Sequence, residues 1–272
     1  KVINMFSKIL KPLKIKVDII KKLIKTENKD EKIYYELYKK INQLNKLSTN
    51  YYSSTKPEEL IDLMKSYKFP KVSSYLDIGC ATGNKTLAVG KFLKAKQIHC
   101  ADLESFDGPI ERLDGFHFQP IEKGGKLPYD DNVFDAVSIL HTIHHIEDKK
   151  VMFEEIKRVL KPDGVLILRE HDLKSEFDKK LVDVEHFLYM LSIKEQFSLE
   201  SLADYEAFYM SRKETQAFLD DYEFVPDKMY KSKSKNYDKS YIEIYKVNKN
   251  EEEEEVEQSE EEEEVEEEKV ED

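Results

Sequence analysis

Strand-like and helix-like segments alternate through the middle of the chain. From residue 74 onward, short apolar runs and longer amphipathic runs follow one another as YLDIG, NKTLAVGKFLKA, QIHCAD, FDAVSILH, KKVMFEEIKRVL and GVLILREHD. Strands joined through helices run parallel, because each crossover returns the chain to the same end of the sheet. Two more strand-like runs, FVPDKMY and SYIEIYKV, come later. The pattern predicts an α/β fold in which helices cover both faces of a mostly parallel sheet.

Charge is segregated along the 272 residues. The formal net charge is -12, but the last 22 residues alone hold 16 acidic residues and one lysine, and the first fifty hold 13 lysines against five acids. We therefore predict a basic helical N-terminal extension (1–50), a main domain (51–248) and a disordered acidic tail (249–272). The extension is either a cover packed on the main domain or an arm that contacts a polyanion, such as RNA or an anionic membrane surface.

Several classes of protein are excluded by composition. No stretch approaches the eighteen consecutive apolar residues of a membrane span, so we predict no transmembrane segment. The N-terminus alternates lysine with isoleucine and leucine and lacks the apolar core of a secretory signal. Cys80 and Cys100 are the only cysteines, too few for a disulfide framework in a chain of this length. A reducing setting, cytoplasmic or nuclear, is the expectation.

The stretch SSYLDIGCATGNKT carries the strongest functional signal. An apolar strand ends near Asp77, Gly79 and Gly83 follow, and a helix begins near Asn84. Glycines allow a sharp turn and close approach to a ligand, and the first helical turn offers unpaired N–H donors. The spacing differs from the G-x-G-x-x-G motif of NAD-binding proteins. A carboxylate at this point suits a ligand that carries an ammonium group.

These residues resemble the class I S-adenosylmethionine-dependent methyltransferases, in particular the branch of the ubiquinone-biosynthesis C-methyltransferases and tRNA wobble-uridine methyltransferases. The resemblance spans roughly residues 73–172 and implies a Rossmann-like, doubly wound, seven-stranded sheet. The family's D-x-G-x-G-x-G motif is matched by Asp77, Gly79 and Gly83, and Ala81 replaces the middle glycine. The implied role of Asp77 is to hold the amino group of the cofactor S-adenosyl-L-methionine, while the loop from Gly79 to Gly83 wraps the methionine part.

Later landmarks of the family follow in order. Asp102 closes the second strand, where an acid accepts hydrogen bonds from both ribose hydroxyls, and Glu104 is the alternative. LPYDDNVFD and KRVLKPDGVLIL resemble family segments in which Phe134 is buried and Asp135 orders a turn. The family's usual adenine-binding Asp is missing at the end of the third strand, where Gln119 or Glu122 would substitute and Pro120 or Ile121 would pack on the ring. The resemblance thus implies cofactor contacts by Asp77, Gly79, Cys80, Ala81, Gly83, Asp102, Leu103, Gln119, Pro120, Ile121, Leu140 and His141.

Candidate catalytic residues come from the ends of the fourth and fifth strands, because ligands of open α/β sheets bind there. Methyl transfer is an in-line displacement that requires alignment and, for some acceptors, removal of a proton. His141 leaves strand four, and Glu170, His171 and Asp172 end strand five. These four residues are the predicted catalytic set. His144 and His145 are expected to be loop and helix-cap residues at least as much as catalytic ones.

A metal site is the competing interpretation of these histidines. His141 and His145, four residues apart, would bind the ion, and His171, Glu147 or Asp172 would complete the set. The same histidine-rich loop occurs in the resembled family without a metal role, so we predict no metal.

The methyl acceptor is not identified by the sequence. The basic N-terminal extension slightly favours RNA, including tRNA, as the acceptor. A quinone-like or lipid-like small molecule is the first alternative. The second is a catalytically silent methyltransferase-like scaffold, motivated by Ala81 and by the missing adenine-binding acid.

Overall fold

The computed structural model describes the core of the predicted main domain. The described residues are 57–81, 83–103, 114–123, 125–176, 178–179, 182–183, 186, 206–231 and 240–247. The predicted N-terminal extension and acidic tail lie outside them. None of the helices in the described ranges has the length and apolar character that crossing a bilayer requires.

Four helices and seven strands follow one another in the described ranges. The helices are α1 (Pro57–Met64), α2 (Asn84–Leu93), α3 (Lys149–Val159) and α4 (Arg212–Asp220). A short 3-10 helix covers Ile143–His145. The strands are β1 (Ser74–Ile78), β2 (Gln97–Asp102), β3 (Phe116–Pro120), β4 (Phe134–Leu140), β5 (Leu160–His171), β6 (Phe224–Lys231) and β7 (Ser240–Val247).

All seven strands form one sheet in the order β3-β2-β1-β4-β5-β7-β6. The pairs from β3 to β5 are parallel, whereas β7 lies antiparallel between β5 and β6. The order reverses at β1, which therefore marks the point where the chain leaves the sheet first to one side and then to the other. The predicted doubly wound, mostly parallel seven-stranded sheet is confirmed.

Apolar side chains fill both faces of the sheet, as the near-continuous apolar strands predict. One face packs against α1 and α2 through side chains such as Leu60 and Val89. The other packs against α3 and α4 through Phe153, Ile156 and Leu219. Because both faces are covered, the ends of the strands are the part of the sheet that remains for a ligand.

Two local features match the expectations for β4 and its turn. Phe134 is fully buried. Asp135 accepts backbone N–H groups of Ser73 and Ser74 at 2.8 Å and pairs with Lys161 at 2.8 Å. The Pro-Asp-Gly segment lies within β5. There the register with β4 shifts, which accommodates the extra residues as an irregularity in the strand.

Candidate active site

The predicted site residues lie where β1 to β5 end and the chain turns away from the sheet. At β1, this turn is a bend with left-handed backbone conformations at Gly79 (φ 73°), Ala81 (φ 47°) and Gly83 (φ 67°). Ala81 therefore keeps the left-handed conformation that glycine normally supplies. The bend is retained although alanine replaces the glycine of the family motif. Gly83 precedes α2, and no side chain caps that helix. The first turn of α2 therefore begins at the bend, and no side chain caps its N–H groups.

Gly79 is required for a packing reason that the sequence did not reveal. A Cβ atom built at this position would lie 2.3 Å from the side chain of Thr142. The backbone N–H of Gly79 donates to the carbonyl of Ala101 at 2.8 Å. Gly79 therefore lets the β1 bend pack directly against the segment that follows β4.

Asp77 is buried beneath this bend, with 2 % of its surface exposed. Thr86 and Ser138 donate their hydroxyls to its two carboxylate oxygens, each at 2.5 Å. Ser138 is also bonded to the hydroxyl of Tyr75 at 2.7 Å. Burial raises the pKa of Asp77 to about 6, although the two hydroxyls and the charge of Lys85 lower it. The chain thus holds a desolvated carboxylate here, a group that a cationic ligand would favour in its charged form.

Asp102 joins the end of β2 to the bend. Its Oδ2 accepts the N–H of Ala81 at 2.7 Å, and its Oδ1 accepts the N–H of Leu103 at 2.7 Å. A carboxylate has about four acceptor sites, so Asp102 retains the capacity to accept ribose hydroxyls. Leu103 is 55 % exposed, which is unusual for a leucine beside an ordered strand end. An apolar ligand group could cover it.

The predicted adenine contacts lie at the end of the neighbouring strand. Pro120 is in register with Asp102 on β2, and the N–H of Ile121 donates to the carbonyl of Asp102 at 2.9 Å. Gln119 is half-buried on the same strand. Pro120 and Ile121 are thus brought next to Asp102, the predicted ribose acceptor, with Gln119 on the same strand.

The two cysteines differ from the sequence expectation, which left them reduced. Cys80, in the bend, forms a disulfide with Cys100 of β2, and the Cα atoms are 5.7 Å apart. The register of β1 with β2 places Asp77 opposite Cys100, and the bend then folds back over that strand. The Cys80 sulfur is therefore engaged with Cys100, and a cofactor contact by Cys80 is left to its backbone.

His141 and His171 bring the ends of β4 and β5 together. Their rings stack with centroids 4.5 Å apart and planes 5° from parallel. The Nε2 atom of His141 lies 2.9 Å from Ser240 Oγ on β7. The pKa of His141 lies well below its usual value, mainly because the ring is buried and secondly because Arg169 is positively charged. The ring is therefore neutral at physiological pH.

Glu170 is held inside this cluster rather than directed at the bend. Its carboxylate accepts from His144 Nδ1 at 2.8 and 2.9 Å and from the N–H of His171 at 2.7 Å. Glu170 and His144 are both buried, at 2 % and 1 % exposure. Burial raises the pKa of Glu170 and lowers that of His144. In this geometry Glu170 positions His144, a contact that sequence reasoning missed.

Asp172 points away from the other three predicted catalytic residues. It accepts the N–H of Arg212 at the start of α4 at 3.1 Å and pairs with Lys174 at 3.2 Å. These contacts give it a place at the N-terminus of α4, where a carboxylate is electrostatically favoured. Its catalytic role stays a prediction, as do the roles of His141, His171 and Glu170.

Two groups in the cluster come from segments beyond β5. His186 lies 3.2 Å from the hydroxyl of Tyr209, which donates to Asp183 at 2.8 Å. Its ring stacks on His144 at 4.9 Å. Nothing in the spacing of the sequence indicates that His186 lies beside His144.

Residues 76–168, about a third of the chain, match the family model of a methyltransferase domain. An uncharacterized methyltransferase of Schizosaccharomyces pombe is 27% identical over 44% of this chain and 47% of its own length. The demethylmenaquinone methyltransferase of Bacillus licheniformis is 22% identical over 67% of this chain and 79% of its own length. The chain thus spans about half of the first relative and most of the second.

A solved structure supports the fold. The trans-methyltransferase CalH in complex with SAH is similar with a TM-score of 0.54 at 14% sequence identity, over 89% of this chain and 73% of that one.

The residues of the bend also fit the cofactor that this family uses. The left-handed backbone at Ala81 and Gly83 leaves a bend next to the uncapped start of α2. A desolvated carboxylate lies beneath it at Asp77, and Asp102 and the exposed Leu103 lie beside it. These are groups that an amino acid nucleoside would engage. The chain therefore carries a class I S-adenosylmethionine-dependent methyltransferase domain.

Proposed function

We propose that the domain methylates a small organic acceptor with a planar, quinone-like or aromatic ring. The observation that carries this proposal is the cluster of rings at the ends of β4 and β5. It consists of the rings of His141, His144, His171, His186 and Tyr209. The centroids of contacting rings in this set lie 4.5 to 6.5 Å apart. Planar rings pack favourably in such surroundings.

The segment 206–210 covers this cluster. The N–H of Phe208 donates to the carbonyl of His144 at 2.7 Å, which ties the segment to the 3-10 helix after β4. Tyr209 then packs on both His144 and His186. Ring-rich surroundings at the strand ends suit a planar acceptor, since ligand pockets are mostly apolar with a few directed polar groups.

The reaction requires little of the protein beyond alignment and proton removal. S-adenosylmethionine supplies an electrophilic methyl group. Asp77 and Asp102 would orient the bound nucleoside through the bend, while His141 would face the acceptor. A neutral His141 can take a proton from an acceptor hydroxyl, and Ser240 holds its ring in place at 2.9 Å.

The relatives favour the small molecule over RNA. The Bacillus licheniformis protein is named for demethylmenaquinone, a quinone. RNA, which the sequence analysis slightly preferred, becomes the second candidate. Its support is the 13 lysines among the first fifty residues, and these lie outside the described part of the chain.

The proposal is tested by following a labelled methyl group. The full chain is incubated with methyl-labelled S-adenosylmethionine and, separately, with an organic-soluble cell extract and with total RNA. We expect label in the organic-soluble pool. Label confined to ribonuclease-sensitive material would reject the small-molecule acceptor in favour of RNA.

Two histidine variants test the role of His141 in the same assay. His141→Gln should lower turnover by about 100-fold, the usual minimum for loss of a general base, and should weaken S-adenosylmethionine affinity far less than it lowers turnover. His117→Gln is the matched control, because His117 is an exposed histidine on the distant strand β3. Equal turnover by both variants would refute a proton-accepting role for His141.

A further inference from the structure

Three histidines from separate segments converge in the cluster. Each of His144, His171 and His186 contributes one ring nitrogen, and the three nitrogens lie within 4.8 Å of one another. In the described part of the chain this is the one group of histidine, cysteine or acidic side chains with such a geometry. It differs from the set considered from sequence, since His145 and Glu147 are exposed to solvent.

The hydrogen bonds of His144 leave its second nitrogen available. The Nδ1 atom faces both carboxylate oxygens of Glu170, so it carries the proton and donates it. The Nε2 atom is then a lone-pair acceptor. It is buried and makes no hydrogen bond to any described residue. A buried, unpartnered acceptor is costly in an apolar interior, and a ligand that accepts its lone pair removes that cost.

His186 is held in the same tautomer by a different partner. The hydroxyl of Tyr209 donates its proton to Asp183 at 2.8 Å, and it therefore accepts from His186 Nδ1 at 3.2 Å. The Nε2 atom of His186 is thus also a lone-pair acceptor when the ring is neutral. Glu170 thus orients the ring of His144, and the hydroxyl of Tyr209, itself bonded to Asp183, orients the ring of His186. Metal-binding histidines in proteins are oriented by outer contacts of this kind.

We propose that His144, His171 and His186 bind a divalent transition-metal ion, for which zinc is the best match. Three imidazole nitrogens are a common zinc-binding set, and they leave a fourth position open. Zinc–nitrogen bonds of about 2.0–2.1 Å require each ring nitrogen to move inward by only about 1 Å. Side-chain rotation accommodates a movement of that size.

The fourth position would be open to an acceptor, and the ring of His141 stacks on His171 with centroids 4.5 Å apart. An acceptor oxygen bound there would lose its proton more readily, because a bound divalent cation stabilises the anion. This role in catalysis rests on the proposed function. Metal binding itself does not, and the two are measured separately.

The test is metal binding by the full chain, purified without a histidine tag and freed of metal with a chelator. Calorimetric titration with Zn²⁺ should give one equivalent, retained in a large excess of Mg²⁺. Co²⁺ should give the visible absorption of a four-coordinate nitrogen site. The Mg²⁺ excess removes weak binding by the 16 acidic residues of the last 22. Less than one Mg²⁺-resistant equivalent of Zn²⁺ would overturn the proposal without reference to any variant.

Variants then locate the ion. His186→Gln should weaken Zn²⁺ binding at least 100-fold, and Glu170→Gln should weaken it 10- to 100-fold through the orientation of His144. His117→Gln is the matched control and should bind as the unaltered chain does. Unchanged affinity in both His186→Gln and Glu170→Gln would place the ion elsewhere and refute the assignment. S-adenosylmethionine affinity, measured in parallel, reports on the proposed function independently.

Discussion

Replacing Asp77 with asparagine should make the domain more stable at neutral pH while weakening its hold on the cofactor. The carboxylate is buried, and its pKa is raised from 3.8 to about 6 by burial. A folded pKa about two pH units above the unfolded value corresponds to a cost of about 3 kcal/mol when the group is charged. The cost applies at pH 7, because Asp77 is ionised there in both the folded and the unfolded protein.

The sign of the pH dependence follows from proton uptake. Between about pH 4 and pH 6 the folded state holds the Asp77 proton and the unfolded state has released it. Stability therefore falls as pH rises through this interval and is lowest, for this group, above it. Asparagine does not titrate. Its amide can accept from Thr86 and donate to Ser138, whose hydroxyl can turn toward Tyr75.

Urea denaturation at several pH values measures the effect. Asp77→Asn should gain up to about 3 kcal/mol at pH 7, or about 6–12 °C in melting temperature, and the gain should vanish near pH 4. Asp135→Asn is the control with the opposite sign, because the hydrogen bonds of Lys161, Ser73 and Ser74 hold the pKa of Asp135 below its usual value. That variant should be less stable at neutral pH, with the loss shrinking in acid. A gain for Asp77→Asn that did not depend on pH would refute the reasoning.

Three further changes have expected outcomes. Asp102→Asn should lower calorimetric S-adenosylmethionine affinity at least tenfold without changing the far-ultraviolet circular dichroism, because it retains the bulk but not the charge that accepts the ribose hydroxyls. Gly79→Ala should lower the free energy of unfolding by more than about 1 kcal/mol, since the new Cβ meets Thr142 at 2.3 Å and the backbone φ is 73°; an unchanged urea midpoint would contradict this. Arg212→Met should cost about 3–5 kcal/mol in urea denaturation because it leaves fully buried Glu243 without its ion pair at 2.6 Å. Lys65→Met, which breaks an exposed pair, should change little.

The fold was predictable because it depends on patterns that are local in sequence. The apolar strands, the amphipathic helices and the bend from Gly79 to Gly83 each carry their own signal, and parallel pairing follows from the crossovers. The position of β7 between β5 and β6 was not predicted. Two adjacent strand-like runs give no indication of which one pairs with β5.

The cofactor positions were also accessible from sequence, since the ends of neighbouring parallel strands meet at one edge of the sheet. The histidine cluster was not. His144 and His186 are 42 residues apart, and only the packing of a helical segment after β5 brings them together at 4.9 Å. Glu170 and Asp172 looked equivalent in the REHD run, yet one is buried against His144 and the other binds the start of α4.

The antiparallel placement of β7 affects the order in which this domain can be completed. Among the described strands β6 pairs with β7, and Ser240 at the start of β7 is the hydrogen-bond partner of His141. During synthesis, the open edge of β5 must therefore wait until residues near 247 have left the ribosome. The contact between His141 and Ser240 therefore forms late, and an incomplete chain exposes an unpaired strand edge.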